Sequence, residues 1–184
     1  MKFDPIEIAL KDGRTAILRS PRVEDAEQML FYLRESTAQT PFLLREPDEA
    51  AQMTLAQEEA FVRSQIDAER AVMLLGIVDG ELAGICHLMP IGGLRRVRHR
   101  CTLAVGLLRA YWGLGLARVM MSALLDRAKA LGYEQAELEV VTTNERAVGL
   151  YQRLGFEICG TLPRNMKYED GGYADLYAMV KALA

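Results

Sequence analysis

Hydrophobic residues recur along the chain with two periods, and the changes of period mark its elements. Ile6–Leu10 and Thr15–Arg19 flank Asp12-Gly13, a hairpin turn signal. Next, Val23, Ala26, Met29, Leu30 and Leu33 recur at helical spacing. Ser36–Ala50 shows no clear period, holds two prolines and reads as a loop. Thr54 with Gln57 has the pattern of a capping box, opening a helix to about Ile66. Val72–Val78 and Leu82–Met89 are apolar runs separated by Asp79-Gly80, which predicts a second hairpin.

Val97–Leu107 is a third long strand candidate. The clearest amphipathic helix covers Gly115–Leu131, with the stripe Leu116, Val119, Met120, Ala123, Leu124, Ala128 and Leu131, and Gly132 as its stop. A strand at Ala136–Val141 and a short helix at Asn144–Leu154, stopped at Gly155, come next. Two final strands flank Glu169-Asp170-Gly171-Gly172. There is no internal repeat, low-complexity tract or linker, so residues 1–184 read as one domain.

Composition narrows the class. With 184 residues, 51% of them hydrophobic, the chain can build one sizeable core. A net charge of −3 gives no nucleic-acid signature. The local exception is Arg95, Arg96, Arg98 and Arg100 around His99, read as a solvated strand edge or loop, or as a contact for an acidic ligand group. The start, MKFDPIEIALKDGR, lacks a signal-peptide core, and no apolar run approaches the ~20 residues of a membrane span. The expectation is a soluble cytoplasmic protein. Cys86, Cys101 and Cys159 are scattered, which fits reduced core thiols better than a disulfide framework.

One stretch is anomalous. The first turn of a helix leaves N–H groups unpaired at the positive end of the helix dipole, and Ser, Thr, Asp or Asn usually covers it. Gly113-Leu114-Gly115-Leu116-Ala117 offers no such cap, and Arg118 has the wrong sign for the dipole. It has the right sign if a bound anion completes the turn, because glycines let backbone approach a phosphate closely. The alternative is a glycine turn for tight packing, with water on the free N–H groups. A Walker loop lacks its Gly-Lys-Ser/Thr here. A dinucleotide fold would want a glycine at Arg118, although Glu137 or Glu139 mimics its ribose-binding acid. A coenzyme A cradle is the third candidate.

A second constellation separates these. Leu138-Glu139-Val140 is followed by Asn144-Glu145-Arg146-Ala147-Val148-Gly149-Leu150-Tyr151-Gln152-Arg153-Leu154-Gly155-Phe156. Together with Trp112-Gly113-Leu114-Gly115-Leu116-Ala117, it resembles the GCN5-related N-acetyltransferase (GNAT) superfamily, close to its small-substrate and ribosomal-protein-alanine members. Trp112 stands where that family carries Arg or Gln. The resemblance extends to Leu18–Leu33 and to Asp170-Gly171-Gly172-Tyr173-x-Asp175. It implies an α/β (α+β) GNAT fold: a mixed, twisted sheet of about six or seven strands, splayed between two parallel strands and flanked by about four helices. It also implies acetyl-CoA as cosubstrate. The pantetheine arm would lie between Val97–Leu107 and Ala136–Val141, on backbone near Val105 and Leu107. The pyrophosphate would rest on the N–H groups of Leu114, Gly115, Leu116, Ala117 and Arg118, with Trp112 and Gly113 shaping the turn. Asn144 would bond the pantetheine or order the strand end. Dimerisation is common in the family.

Acetyl transfer requires that an amine lose a proton, that an oxyanion be stabilised and that a thiolate leave. By resemblance Tyr151 donates to the departing sulfur, and Glu139 serves as base through water. His87 and Glu46 are further base candidates. Tyr151 read alone is also a packed aromatic, and Glu139 a solvated carboxylate. The oxyanion would rest on a backbone N–H near Leu107. Cys86, His87, His99 and Cys101 match no zinc spacing, and alternation turns Cys86 and His87 to opposite faces, so no metal is expected. Trp112 stacks on the cofactor, plugs a dimer surface or forms a lid. Phe42, Leu43 and Leu44 lie in the segment suited to carry specificity. The leading expectation is transfer to a primary amine of a small molecule, amino acid or peptide N-terminus in a ternary complex, without nucleic acid or membrane. The alternatives are a non-catalytic acyl-CoA-binding module and a nicotinamide-cofactor enzyme.

Overall fold

The computed structural model describes residues 3–183; Met1, Lys2 and Ala184, with the part of the N-terminal reading that falls on them, lie outside the described residues. The hairpin β1 (Ile6–Ala9) and β2 (Thr15–Arg19) leads through a 3-10 turn at Val23–Asp25 into α1 (Ala26–Gln39). Then come α2 (Pro47–Ala51), α3 (Leu55–Asp67), β3 (Val72–Val78), β4 (Glu81–Pro90), β5 (Arg100–Leu107) and α4 (Leu116–Ala130). The chain closes with β6 (Gln135–Val141), α5 (Glu145–Arg153), β7 (Glu157–Lys167) and β8 (Tyr173–Ala182). The eight strands form one sheet in the order β1-β2-β3-β4-β5-β6-β8-β7. The described residues thus hold one more strand and one more α-helix than the upper expectation.

Two boundaries depart from the sequence expectation. Ser36–Ala50 is not all loop. The first helix continues to Gln39 because Ser36 and Thr37 turn their hydroxyls back onto the Leu33 carbonyl, at 3.2 and 2.9 Å, and stay buried. Pro47 at the start of α2, with the Glu46 N–H bonded to Glu49 at 2.9 Å, forms a further short helix. Conversely, Val97–His99 is turn rather than strand: the N–H groups of Val97 and Arg98 both bond to the Leu94 carbonyl. The capping box at Thr54 is present, with the Gln57 N–H bonded to Thr54 Oγ1 at 3.3 Å.

Alternation along each strand divides the core between two faces. On one face α4 buries Leu116, Met120, Met121 and Leu124 completely, over Leu18, Leu74, Leu88 and, further along, Leu138 and Met179. Each such side chain contributes roughly 1.5–3 kcal/mol of burial. On the other face α1 and α3 set Met29, Tyr32 and Val62 against Met73, Leu75 and Ile77. Beyond those helices in the strand order lie β6, β8 and β7, where the second face is open at Glu139 and closed over Val141 and Leu176.

One pairing positions everything that follows. The only parallel pair among the described strands, β5 and β6, is in register for just Arg100, Cys101 and Thr102 against Gln135, Ala136 and Glu137. Beyond it, β5 pairs only with β4 and β6 only with β8. The sheet therefore splits into a V. Its apex is closed by Arg100, whose guanidinium holds both oxygens of Glu137, one at 2.8 Å. That contact pulls the Glu137 carboxyl below its ordinary pKa range.

Candidate active site

Backbone direction decides what lines the V. The His99 carbonyl accepts from Glu134 and Gln135, whereas the Leu108 N–H donates to Ala83 of β4. Since successive residues of a strand alternate, odd residues of β5 turn their N–H and C=O away from β4. Leu103, Val105 and Leu107 thus present backbone groups to the gap. The Leu107 carbonyl accepts from Trp112 Nε1 at 2.9 Å, which fixes the turn after β5 to the lip of the gap.

That turn leads into α4. Gly113 and Gly115 have φ of +81° and +91°, a region that costs other residues about 1–2 kcal/mol. Gly115 is the N-cap, has no capping side chain, and no acid stands in the first turn. Leu114, Leu116, Ala117 and Arg118 complete a helix start whose N–H groups no side chain covers, with Arg118 exposed.

The structure adds two cationic side chains that the sequence did not single out. Carbons of the Lys11 side chain lie 3.9 Å from the place a Cβ on Gly115 would occupy, and Arg146 Nη1 lies 4.0 Å from that of Gly113. The Arg146 guanidinium also covers the Trp112 ring, 5.1 Å from its centroid, with Arg109 at 5.5 Å. Lys11 is distant in sequence and gave no signal. Arg146 falls inside the Asn144–Phe156 pattern, on a helix position with no apolar period.

Asn144 caps α5, accepting from the Ala147 N–H at 3.3 Å. Tyr151 is buried in the α4-side cluster that also holds Leu138, and against which Val105 and Leu107 pack. Its ring meets Phe156 edge-on at 6.1 Å. Its hydroxyl has no hydrogen-bond partner among the described residues, yet it is not a sealed polar atom, so it reaches an accessible space. Burial pushes the phenol up to about 12, which keeps it protonated at neutral pH.

Glu139 lies on the opposite face. It is exposed on β6, paired with Ala178, and so points to the side left open beyond α1 and α3. His87, on β4 opposite Ala104, is on that same face. Glu46 is held at the start of α2 instead. In the segment from Phe42 to Leu44, Leu43 reaches to 4.0 Å from where a Cβ on Gly106 would lie, while Leu44 is 85% exposed.

Among the described residues no group of His, Cys, Asp and Glu is arranged to hold a metal. Cys86 and Cys101 are buried, and Cys101 is pushed up to about 12 by burial. Cys159 corrects the expectation of three core thiols: it is exposed on β7, where neither face of the strand is covered. In the basic run, Arg100 serves the apex pair, while Arg95, Arg96 and Arg98 are exposed in the β4–β5 turn. No helix among the described residues is long and apolar enough to cross a membrane.

This combination, a split parallel pair beside an uncapped glycine turn, agrees with the comparison with known proteins. Residues 30–156 match the acetyltransferase (GNAT) family. That is more than half of the chain, and the chain belongs to this family of enzymes. A GNAT-family acetyltransferase from Streptococcus pneumoniae superposes with a TM-score of 0.84 and 29% identity, covering 91% of this chain and 99% of that one. An acetyltransferase from Salmonella typhimurium, solved with its cofactor acetyl-CoA, shares the fold with a TM-score of 0.80 and 18% identity, covering 92% of this chain and 94% of that one. Streptothricin acetyltransferase of Streptomyces lavendulae is 29% identical over 131 residues, 71% of this chain and 65% of that protein. The matches span less than two thirds of the curated relatives' length, falling to 32% and 30% in shorter matches of higher identity.

Proposed function

We propose that residues 1–184 form a single cytoplasmic acetyltransferase domain. It moves the acetyl group of acetyl-CoA directly to a primary amine on a small molecule, amino acid or peptide N-terminus, in a ternary complex and without a metal. The observation that carries this is the meeting, at one lip of the V, of unpaired β5 backbone with an uncapped helix start flanked by Lys11 and Arg146.

These residues fit acetyl-CoA. The N–H groups of Leu114–Arg118, with Lys11 and Arg146 alongside, hold the pyrophosphate. Val105 and Leu107 take the amide groups of the arm, with Asn144 at the strand end and Trp112 bracing the turn. Bound there, acetyl-CoA supplies the activated acyl group. The thioester then lies in the gap between the two faces. Tyr151 approaches from the α4 side and donates its proton to the sulfur as the C–S bond breaks. The amine arrives from the open side, where Glu139 draws the ammonium and receives its proton through water. The Leu107 N–H faces the carbonyl oxygen as its charge develops. The relative named for streptothricin supports a small-molecule amine.

The test is release of free thiol from acetyl-CoA across a panel of amines, alongside acetyl-CoA binding by calorimetry. Amine-dependent release supports the proposal. Tight binding with no release for any amine would instead mark a non-catalytic acyl-CoA module, and no binding would overturn both.

A further inference from the structure

We infer that His87 is a second general base of this site, taking the acceptor's proton from the β4–β5 lip of the gap while Glu139 works from the β6 lip. This inference rests on the acetyltransfer proposed above and adds a residue to its chemistry.

Register fixes where the imidazole points. His87 is opposite Ala104 on β5 and Met73 on β3, so all three share the face that α1 and α3 cover only in part. Met73 lies in the cluster beneath those helices. Ala104 is exposed and sets only a methyl beside His87 on the side toward the gap. Next along the same face comes Gly106, where a Cβ would lie 2.8 Å from the Tyr32 hydroxyl, so α1 forms the wall of the hollow. His87 is thus at the floor of the open side, one strand from the split.

The ring has no hydrogen-bond partner among the described residues, and its nitrogens are not sealed polar atoms. A half-buried imidazole kept without a protein partner is available to water or ligand. Burial alone lowers its pKa from the ordinary value, which keeps the ring neutral near pH 7 and able to accept a proton. The groups packed beside it on β3, β4 and β5 carry no charge. Ile85 and Met89 along β4, Met73 on β3 and Ala104 on β5 are apolar, and Thr102 is uncharged. The Tyr32 hydroxyl on α1 is buried and held protonated by that burial. Across the gap Glu137 is tied to Arg100, which leaves Glu139 as the facing charge.

The proton balance closes. The ammonium passes one proton through water to a ring nitrogen of His87. The neutral amine forms the C–N bond, the C–S bond breaks, and Tyr151 protonates the thiolate. Tyr151 recovers its proton from solvent, the amide nitrogen loses its second one through water to Glu139, and His87 and Glu139 release theirs to solvent as product leaves. The sum is one acetamide, one thiol and one proton from one ammonium and one thioester.

The chain has two histidines, so His87→Asn assigns the ring signals unambiguously. The experiment follows the imidazole resonances of the whole protein by NMR against pH, free and with acetyl-CoA. It also measures the pH profile of kcat/KM for wild type, His87→Asn and Glu139→Gln with the best amine of the thiol-release panel. The His87 signals should titrate below the ordinary histidine range and move on adding acetyl-CoA, with His99 unmoved. The His87→Asn variant should bind acetyl-CoA as wild type, lose roughly 10²-fold in kcat/KM at pH 7 and lose the acid limb that Glu139→Gln retains. His87 signals indifferent to acetyl-CoA, or a His87→Asn profile of wild-type shape and height, would overturn the inference. Absence of acetyl-CoA binding or of all turnover in wild type would overturn the acetyltransfer itself, an outcome distinct from the two above, in which wild type still binds and turns over.

Discussion

At one end of the β5–β6 pair, Arg100 grips Glu137 across parallel strands whose Cys101 and Ala136 are fully buried. At the other end the same strands share no register, Ala104 and Glu139 are exposed, and the Leu107 carbonyl is bound by an indole instead of a neighbouring strand. The closed end pairs its backbone between the two strands. The open end leaves backbone donors and a helix start for something else to satisfy. Under the proposed function, stability and catalysis are separated along one strand pair, and substitutions at its two ends should have different readouts.

The largest effect belongs to the open end. Tyr151→Phe keeps the ring against Phe156 and removes the hydroxyl, so kcat should fall by about 10²–10⁴-fold with acetyl-CoA affinity and Tm nearly unchanged. Retention of near-full turnover, measured where chemistry limits the rate, would make Tyr151 a packing residue. Next comes Gly115→Glu, which puts a charged side chain at φ +91° beside the proposed pyrophosphate. Acetyl-CoA affinity by calorimetry should drop about 30- to 100-fold, roughly 2–3 kcal/mol. Gly115→Ala separates backbone strain from charge and should lose clearly less.

Trp112→Phe should act more gently. It keeps a ring against Arg109 and Arg146 but gives up the bond to Leu107, a net loss of about 0.5–1.5 kcal/mol. Acetyl-CoA affinity should therefore weaken about 2- to 10-fold, and an unchanged value would show that the tether does not order the lip. The smallest effect on turnover belongs to the closed end. Glu137→Gln should lower Tm at pH 7 and leave kcat close to wild type. Since Arg100 depresses the folded-state pKa of Glu137, its stabilisation is present above the ordinary glutamate value of about 4.3 and lost as pH falls through the lower folded value. The Tm gap between wild type and variant should close over that acid range, as read by scanning calorimetry. A gap that persists would assign the pair no role in stability.

By itself the sequence determined the elements whose signals are local. The Asp12-Gly13 and Asp79-Gly80 turns, the stripe on α4 and the glycine stops at Gly132 and Gly155 follow from side-chain period and backbone freedom. The uncapped glycine turn and the Asn144–Tyr151 spacing are equally local, so the proposed cofactor side was legible. Only the tertiary structure decided the rest. Ser36 and Thr37 continue a helix because their hydroxyls bond back one turn in a buried setting, which no apolar period announces. Lys11 comes beside Gly115 because the β1–β2 hairpin bonds back to Leu114, a contact between residues remote in the chain. The V itself, and the placing of Tyr151 and Glu139 on its two faces, depend on where a register stops. Register is settled by packing across the whole sheet, so short-range pattern cannot state where two strands part.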